Sequence, residues 1–264
     1  MKVKPFLKWA GGKTKLIYHL LDFVPENFNN YFEPFLGGGS LYFALKPKKA
    51  YLSDINEELI NTYAQVKNNV ETLMFHLRGM KYNKNFYYKI RSKDIKDEIH
   101  KAAKFIYLNK TCWNGLYRVN SKGEFNVPFG KFKNPRIYDE ENLNNISKLL
   151  KHAEIRVADF QDIVAMASRD DFIYFDPPFV TSANNNRFIK YSSRIFSIED
   201  QFRLKEVMEE LSNKGCKIVV SNADHWIIKE YFKDFNINRV ERKSLIAADK
   251  RKRRTITELI ITNF

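Results

Sequence analysis

Two hydrophobic rhythms alternate along the chain. Runs at Tyr31–Phe35, Ala50–Ser53, Phe172–Phe175, Cys216–Val220 and Glu258–Ile261 predict strands, with Phe172–Phe175 and Cys216–Val220 the buried ones and the former in a parallel sheet. Further strands are expected at Glu154–Ala158 and near Asn238-Arg239-Val240. Apolar residues at helical spacing recur at Leu16, Ile17, Leu20 and Leu21, and at Leu204, Val207, Met208 and Leu211, the latter behind a capping-box pattern at Ser197 and Asp200. Between Asn56 and about residue 153 the alternation stops. Helical faces follow one another there: Leu59, Ile60, Tyr63 and Val66; Val70, Leu73, Met74 and Leu77; Ile99, Ala102, Ala103 and Ile106. One β-hairpin is predicted among them, Leu116–Asn120 and Glu124–Val127 about a turn at Ser121-Lys122-Gly123. The pattern predicts an α/β domain from residues 1–56 and 154–264, interrupted by a mainly helical insertion at 57–153 carrying the hairpin.

Three turns carry candidate chemistry. The strand Phe172–Phe175 runs into Asp176-Pro177-Pro178-Phe179, where each proline fixes its own φ and steers the residue before it away from helix. Stiff turns at the carboxyl ends of parallel strands are where open α/β sheets bind ligands, although a Pro-Pro loop can also simply cap a core strand. Leu36-Gly37-Gly38-Gly39-Ser40 forms a glycine turn between a strand and a helix, and the next strand ends at Asp54, suited to accept hydrogen bonds from a ribose. Together they point to an adenosine-containing ligand. Tyr42 stands where the dinucleotide fingerprint needs its last glycine, and Leu7 where a P-loop ending in Gly12-Lys13-Thr14 needs its first, so neither motif is present.

Charge widens the picture. Lys and Arg number 45 against 31 Asp and Glu, a formal +14 over 264 residues that favours a polyanionic partner. Trp113-Asn114-Gly115-Leu116-Tyr117-Arg118 interleaves rings, amides and a cation, the side chains that stack on bases and read their edges. Lys250-Arg251-Lys252-Arg253-Arg254 suits phosphate contacts. Cys112 and Cys216 form no Cys-x-x-Cys pair, and the five histidines show no metal-ligand spacing, so neither a disulfide framework nor a metal is expected. No run is long and apolar enough to span a bilayer, and the expectation is a cytoplasmic protein, monomeric in solution.

Pro5–Lys13, Glu33–Ser40, Ser53–Asn56 and Asp176–Phe179 stand in the order seen in DNA adenine-N6 methyltransferases, and the chain resembles the Dam-type branch that methylates adenine in GATC. Asn114–Arg118 with Gly123–Gly130 looks like that branch's target-recognition hairpin. The resemblance implies a Rossmann-like methyltransferase sheet, S-adenosylmethionine as methyl donor without a metal, and double-stranded DNA as substrate. It assigns the cofactor to Trp9, Lys13, Phe35, Gly37, Gly39, Asp54, Asp159, Phe160 and Asp176, and catalysis on a flipped adenine to Asp176, Pro177, Pro178 and Phe179. DNA contacts are expected from Lys8, Trp113, Asn114, Leu116, Arg118, Asn120 and Pro128, with Lys250, Arg251 and Arg253 on phosphates. The departure is Phe179, where the family usually has tyrosine. An N4-cytosine methyltransferase shares the same geometry, and a catalytically weakened DNA-binding member of the fold is the other alternative.

Overall fold

The computed structural model describes residues 3–14, 16–178, 196–243 and 255–264. Its strands are β1 (Tyr31–Glu33), β2 (Ala50–Asp54), β3 (Ala153–Val157), β4 (Phe172–Phe175), β5 (Lys217–Ala223), β6 (Asn236–Lys243) and β7 (Thr255–Thr262). They stand in the order β3-β2-β1-β4-β5-β7-β6, a Rossmann-like α/β arrangement. β1 is parallel to β2 and β4, and β4 to β5, whereas β7 runs antiparallel to both β5 and β6.

The chain steps from β1 outward through β2 and β3, then restarts on the other side of β1 at β4 and continues to β5. Such a reversal leaves a crevice at the carboxyl ends of the two central strands. Glu33-Pro34-Phe35 leaves β1 there, and Asp176-Pro177 leaves β4. β1 is shorter than its sequence suggests, ending at Glu33, because Pro34 cannot donate to a ladder.

Two compact units are present, one of residues 1–12, 37–46 and 53–157, the other of residues 13–36, 47–52 and 158–264. In the first, the helices Glu57–Asn68 and Val70–Arg78 pack on Glu98–Thr111 through Leu59, Tyr63, Leu73, Leu77, Ala102 and Ile106, all buried as the periodicity requires. Each large side chain removed from water contributes about 1.5–3 kcal/mol. Helices Lys84–Ser92 and Glu140–Leu150 complete the unit. The predicted hairpin lacks a regular ladder. Only the bridges Val119↔Phe125 and Cys112↔Phe129 form, and the Val127 carbonyl accepts instead from the Tyr87 hydroxyl at 2.8 Å and from Arg91 at 3.2 Å.

The second unit is built on the central strands. Phe32, Ile173, Phe175, Ile218, Val220 and Ile261 form its core with Leu204, Val207, Met208 and Leu211 of the helix Ile198–Asn213. That helix begins in a full capping box between Ser197 and Asp200, as its sequence predicts. No described helix is long and apolar enough to cross a membrane.

Candidate functional site

In the first unit the glycine turn is clamped from two sides. Gly37 has φ +46°, and a Cβ there would lie 2.7 Å from Trp9 Cδ1, so the indole occupies the space that a side chain would fill. Trp9 in turn stacks on Tyr117 and Phe105, with ring centroids 5.4 Å and 6.3 Å away. The Gly37 N–H donates to Asp54 Oδ2 at 3.0 Å, and its carbonyl accepts from the Tyr63 hydroxyl at 3.1 Å. Asp54 Oδ1 accepts from the Asn56 N–H at 3.0 Å. Burial pushes the Asp54 carboxyl up, opposed by the N–H groups of Asn56 and Gly37. Gly39 sits at the N-cap of the helix Ser40–Leu45. Trp9, Gly37, Gly39 and Asp54 are thus brought together at the ends of adjacent elements.

The same unit carries the expected base-reading residues. Lys8 is exposed, but its backbone is held by Asn109 through paired bonds of 2.8 Å and 2.7 Å, and its ammonium lies 4.2 Å from the Phe132 ring centroid. Gly115 has φ +64°, and any Cβ there would overlap the Lys8 side chain. Trp113 is 53% exposed, its backbone N–H donating to the Pro128 carbonyl at 2.9 Å. Asn114 adopts φ +53° and is exposed, as is Pro128, while Leu116 is half-buried. Arg118 is exposed and donates from Nε to Asn126 Oδ1 at 2.7 Å. Asn120 turns its side chain inward to the loop, accepting from the N–H groups of Lys122 and Glu124 at 2.9 Å and 3.0 Å. Asn109 and Phe132 were not singled out from sequence. A polar residue on the buried face of a helix was the available signal for Asn109.

In the second unit Lys13 is only 4% exposed, although a basic residue beside two glycines suggests a solvated one. Its ammonium lies 2.9 Å from Asp176 Oδ1 and 3.3 Å from Glu258 Oε2. Asp176 retains 20% side-chain exposure, Pro177 is buried and Pro178 exposed. Beneath them the Tyr31 hydroxyl donates to Glu33 at 2.8 Å, and Tyr174 shares a 2.8 Å bond with Ser221. Burial drives both phenols well above their ordinary range, with Glu33 adding to the effect on Tyr31 and Asp176 on Tyr174, so each remains protonated.

Phe35 stacks on Phe160 at 5.3 Å and meets Phe196 edge-on at 5.6 Å. Phe160 follows Asp159, whose side chain caps the short turn Phe160–Asp162. Arg203 holds this turn, donating to Asp159 at 2.8 Å and to Gln161 at 2.6 Å, with its guanidinium 4.8 Å from the Phe160 ring centroid. Arg203 is a residue that sequence reasoning missed, because only the fold brings its helix to that turn. Phe179, Lys250, Arg251 and Arg253 lie outside the described residues. Among the described residues, no three His, Cys, Asp or Glu side chains converge as a metal site would require.

Residues 9–246 match the D12 class N6 adenine-specific DNA methyltransferases. The chain is 41% identical over 274 residues to the type II methyltransferase M1.LlaDCHI of Lactococcus lactis subsp. cremoris, covering 100% of this chain and 96% of the relative. It is 41% identical over 289 residues to the type II methyltransferase M.MjaIII of Methanocaldococcus jannaschii, covering all of both. The DNA adenine methylase of Escherichia coli K12 is 30% identical over 265 residues, covering 98% of this chain and 95% of that one. With a match that spans most of its length and relatives covered nearly end to end, this chain belongs to the D12 class of N6 adenine-specific DNA methyltransferases.

Proposed function

We propose that the protein methylates N6 of an adenine extruded from duplex DNA, in the sequence GATC, and that Asp176 and Pro177 hold the reacting amine. The observation that carries this reading is Asp176 itself. It stands where β4 ends at the reversal of the sheet, partly exposed, with Oδ1 engaged by the ammonium of Lys13 at 2.9 Å. Adenine's amino lone pair is delocalised into its ring, so acceptors at the Asp176 carboxylate and the Pro177 carbonyl would draw on its protons and orient the nitrogen. The gain is orientation and preorganised electrostatics. The target atom is unreachable inside the stack, which is why the base must leave it. Phe179 offers the stacking face.

S-adenosylmethionine supplies the activated methyl group. The residues fit such a ligand. The Gly37 turn has a backbone conformation and surroundings that admit no side chain, and Asp54 supplies a carboxylate acceptor beside it. The resemblance assigns Trp9, Gly37, Gly39 and Asp54 of one unit, and Lys13, Phe35, Asp159, Phe160 and Asp176 of the other, to this cofactor. Residues 57–153 form the target-recognition part, where Lys8 (contributed by the N-terminal stretch), Trp113, Asn114, Leu116, Arg118, Asn120 and Pro128 meet the bases. Relatives named DNA adenine methylase support the Dam-type reading.

The test is to expose unmethylated duplex DNA to the protein and labelled S-adenosylmethionine, then map and identify the modified nucleoside. N6-methyladenine at GATC is expected. N4-methylcytosine, or methyladenine in another sequence, would overturn the corresponding part, and no transfer at all would favour a silent DNA-binding protein.

A further inference from the structure

Lys8 sits in a stretch that no regular element supports. Between residues 3 and 12 there is neither helix nor strand, so the backbone groups of Lys8 have no ladder or helical turn to join. A single side chain takes both. Asn109 accepts from the Lys8 N–H at 2.8 Å through Oδ1 and donates to the Lys8 carbonyl at 2.7 Å through Nδ2. The neutral amide supplies one acceptor and one donor at once, which fixes the identity of its two atoms. Asn109 is only 1% exposed on the helix Glu98–Thr111, where asparagine is a poor helix former and an apolar residue would bury without a polar cost. Its Nδ2 also faces the Gly115 carbonyl at 3.5 Å. Further along, the lysine stem lies across Gly115, where a Cβ would stand 2.2 Å from Lys8 Cδ, and the ammonium reaches to 4.2 Å from the Phe132 ring centroid.

We propose that Asn109 is a positioning residue for sequence recognition, fixing the Lys8 backbone against the turn Trp113–Gly115 so that the ammonium is aimed at one G·C pair of the site. This deepens the function proposed above and rests on its assignment of Lys8 to the bases. A lysine ammonium donates to guanine O6 and N7 in the major groove, but it rides on a flexible four-carbon stem. On an unanchored backbone it would follow a phosphate as readily as a base edge, and phosphate contacts carry no sequence information. A backbone fixed in advance leaves only the stem for the complex to order. Asn109 occupies the last turn of the helix that leads into Trp113–Gly115, so the two base-reading segments share one support. Asn109 touches no base in this scheme; it acts through Lys8.

The experiment measures single-turnover methyl transfer by the full chain, at saturating S-adenosylmethionine, on a GATC duplex and on duplexes altered one base pair at a time. Discrimination at each position is the ratio of the two rates, and thermal unfolding is followed in parallel. Lys8→Ala is expected to lower discrimination about tenfold or more at one G·C pair, which identifies the pair that Lys8 reads. Asn109→Leu, similar in size with neither donor nor acceptor, is expected to lower it about fivefold or more at that same pair and less than about twofold at the others. In the Lys8→Ala background, Asn109→Leu should change discrimination there by less than about twofold, since the path through Lys8 is already cut. A merely structural role would slow transfer on every duplex alike and leave these ratios unmoved. Asn109→Asp keeps the shape and, ionised, the acceptor for the Lys8 N–H, but loses the donor to its carbonyl; it should lower the same ratio and replaces the leucine variant if that one does not fold. Unchanged ratios in the folded Asn109 variant, losses spread evenly over all positions, or an equal further loss in the Lys8→Ala background would each overturn the proposal. If Lys8→Ala itself moves no ratio, the assignment of Lys8 to a base fails and the proposal fails with it. If the parent chain transfers no methyl group, methyl transfer fails as the function, and the same ratios taken from duplex affinities decide the role of Asn109.

Discussion

Asp176, Phe179 and Asp54 test three distinct ideas at the scale of single residues. Asp176→Ala removes the acceptor that grips the flipped base but leaves the residues expected to read bases and meet phosphates in place, so transfer should fall by about 10²–10³-fold or more while duplex binding is retained. Equal losses in both measurements would mean that Asp176 is structural. Phe179→Tyr asks whether the hydroxyl is needed. Stacking is worth roughly 1–3 kcal/mol per base and uses the ring face, so the phenylalanine form should transfer methyl groups at a measurable single-turnover rate. No detectable transfer by the parent beside an active tyrosine variant would reverse that view. Asp54 carries a pH signature. Its carboxyl is raised in the folded chain by burial, so the stability it contributes is full below its unfolded value and is lost as pH rises through the folded one. Asp54→Asn does not titrate. The midpoint difference, variant minus parent, should therefore increase with pH from about 4 upward, the range where an unperturbed aspartate ionises. A flat difference would contradict the raised carboxyl.

Elements differ in how much of them could be read beforehand. The helices Glu57–Asn68, Val70–Arg78 and Glu98–Thr111 were legible because each buries an apolar face at helical spacing. Lys84–Ser92 buries only Tyr87, leaving nothing for periodicity to detect. Glu140–Leu150 buries Leu143, Ile146 and Leu150 behind an Asp139 cap, a pattern that was available and went unread. The hairpin around Arg118 was legible in its turn and in the Val119–Phe125 pair that joins its predicted arms. Between the arms the Asn120 N–H donates to the Glu124 carbonyl at 2.9 Å and the Asn126 N–H to the Arg118 carbonyl at 3.1 Å, and beyond that single pair Tyr87, Arg91 and the Asn120 side chain hold them. The Arg118 side chain is exposed, and its Nε donates to Asn126 Oδ1 at 2.7 Å. Arg118→Ala should relax discrimination at one base pair by about 1–3 kcal/mol, measured as relative transfer rates on duplexes altered one position at a time. An unchanged preference across such sites would remove Arg118 from recognition.

For the whole molecule the governing quantity is the formal charge of +14. Phosphate contacts release counterions, so affinity for duplex DNA should fall steeply with salt. Replacing Lys250, Arg251, Lys252, Arg253 and Arg254 by glutamine should weaken binding to all sequences alike and flatten the dependence of log affinity on log salt. A slope equal to the parent's would exclude that run from the interface.

Local sequence determined the strand and helix alternation, the stiff turn after β4, the glycine turn after β1 and the carboxylate ending β2. Each follows from side-chain period or backbone restriction within a few residues. The tertiary structure alone decided which of these meet. The Asp54 bond to Gly37 depends on the parallel pairing of β1 with β2. The burial of Lys13 between Asp176 and Glu258 depends on where β7 inserts beside β5. Charges so far apart along the chain leave no local signal, because a lone lysine, aspartate or glutamate reads as a solvated surface residue until strand order removes it from water.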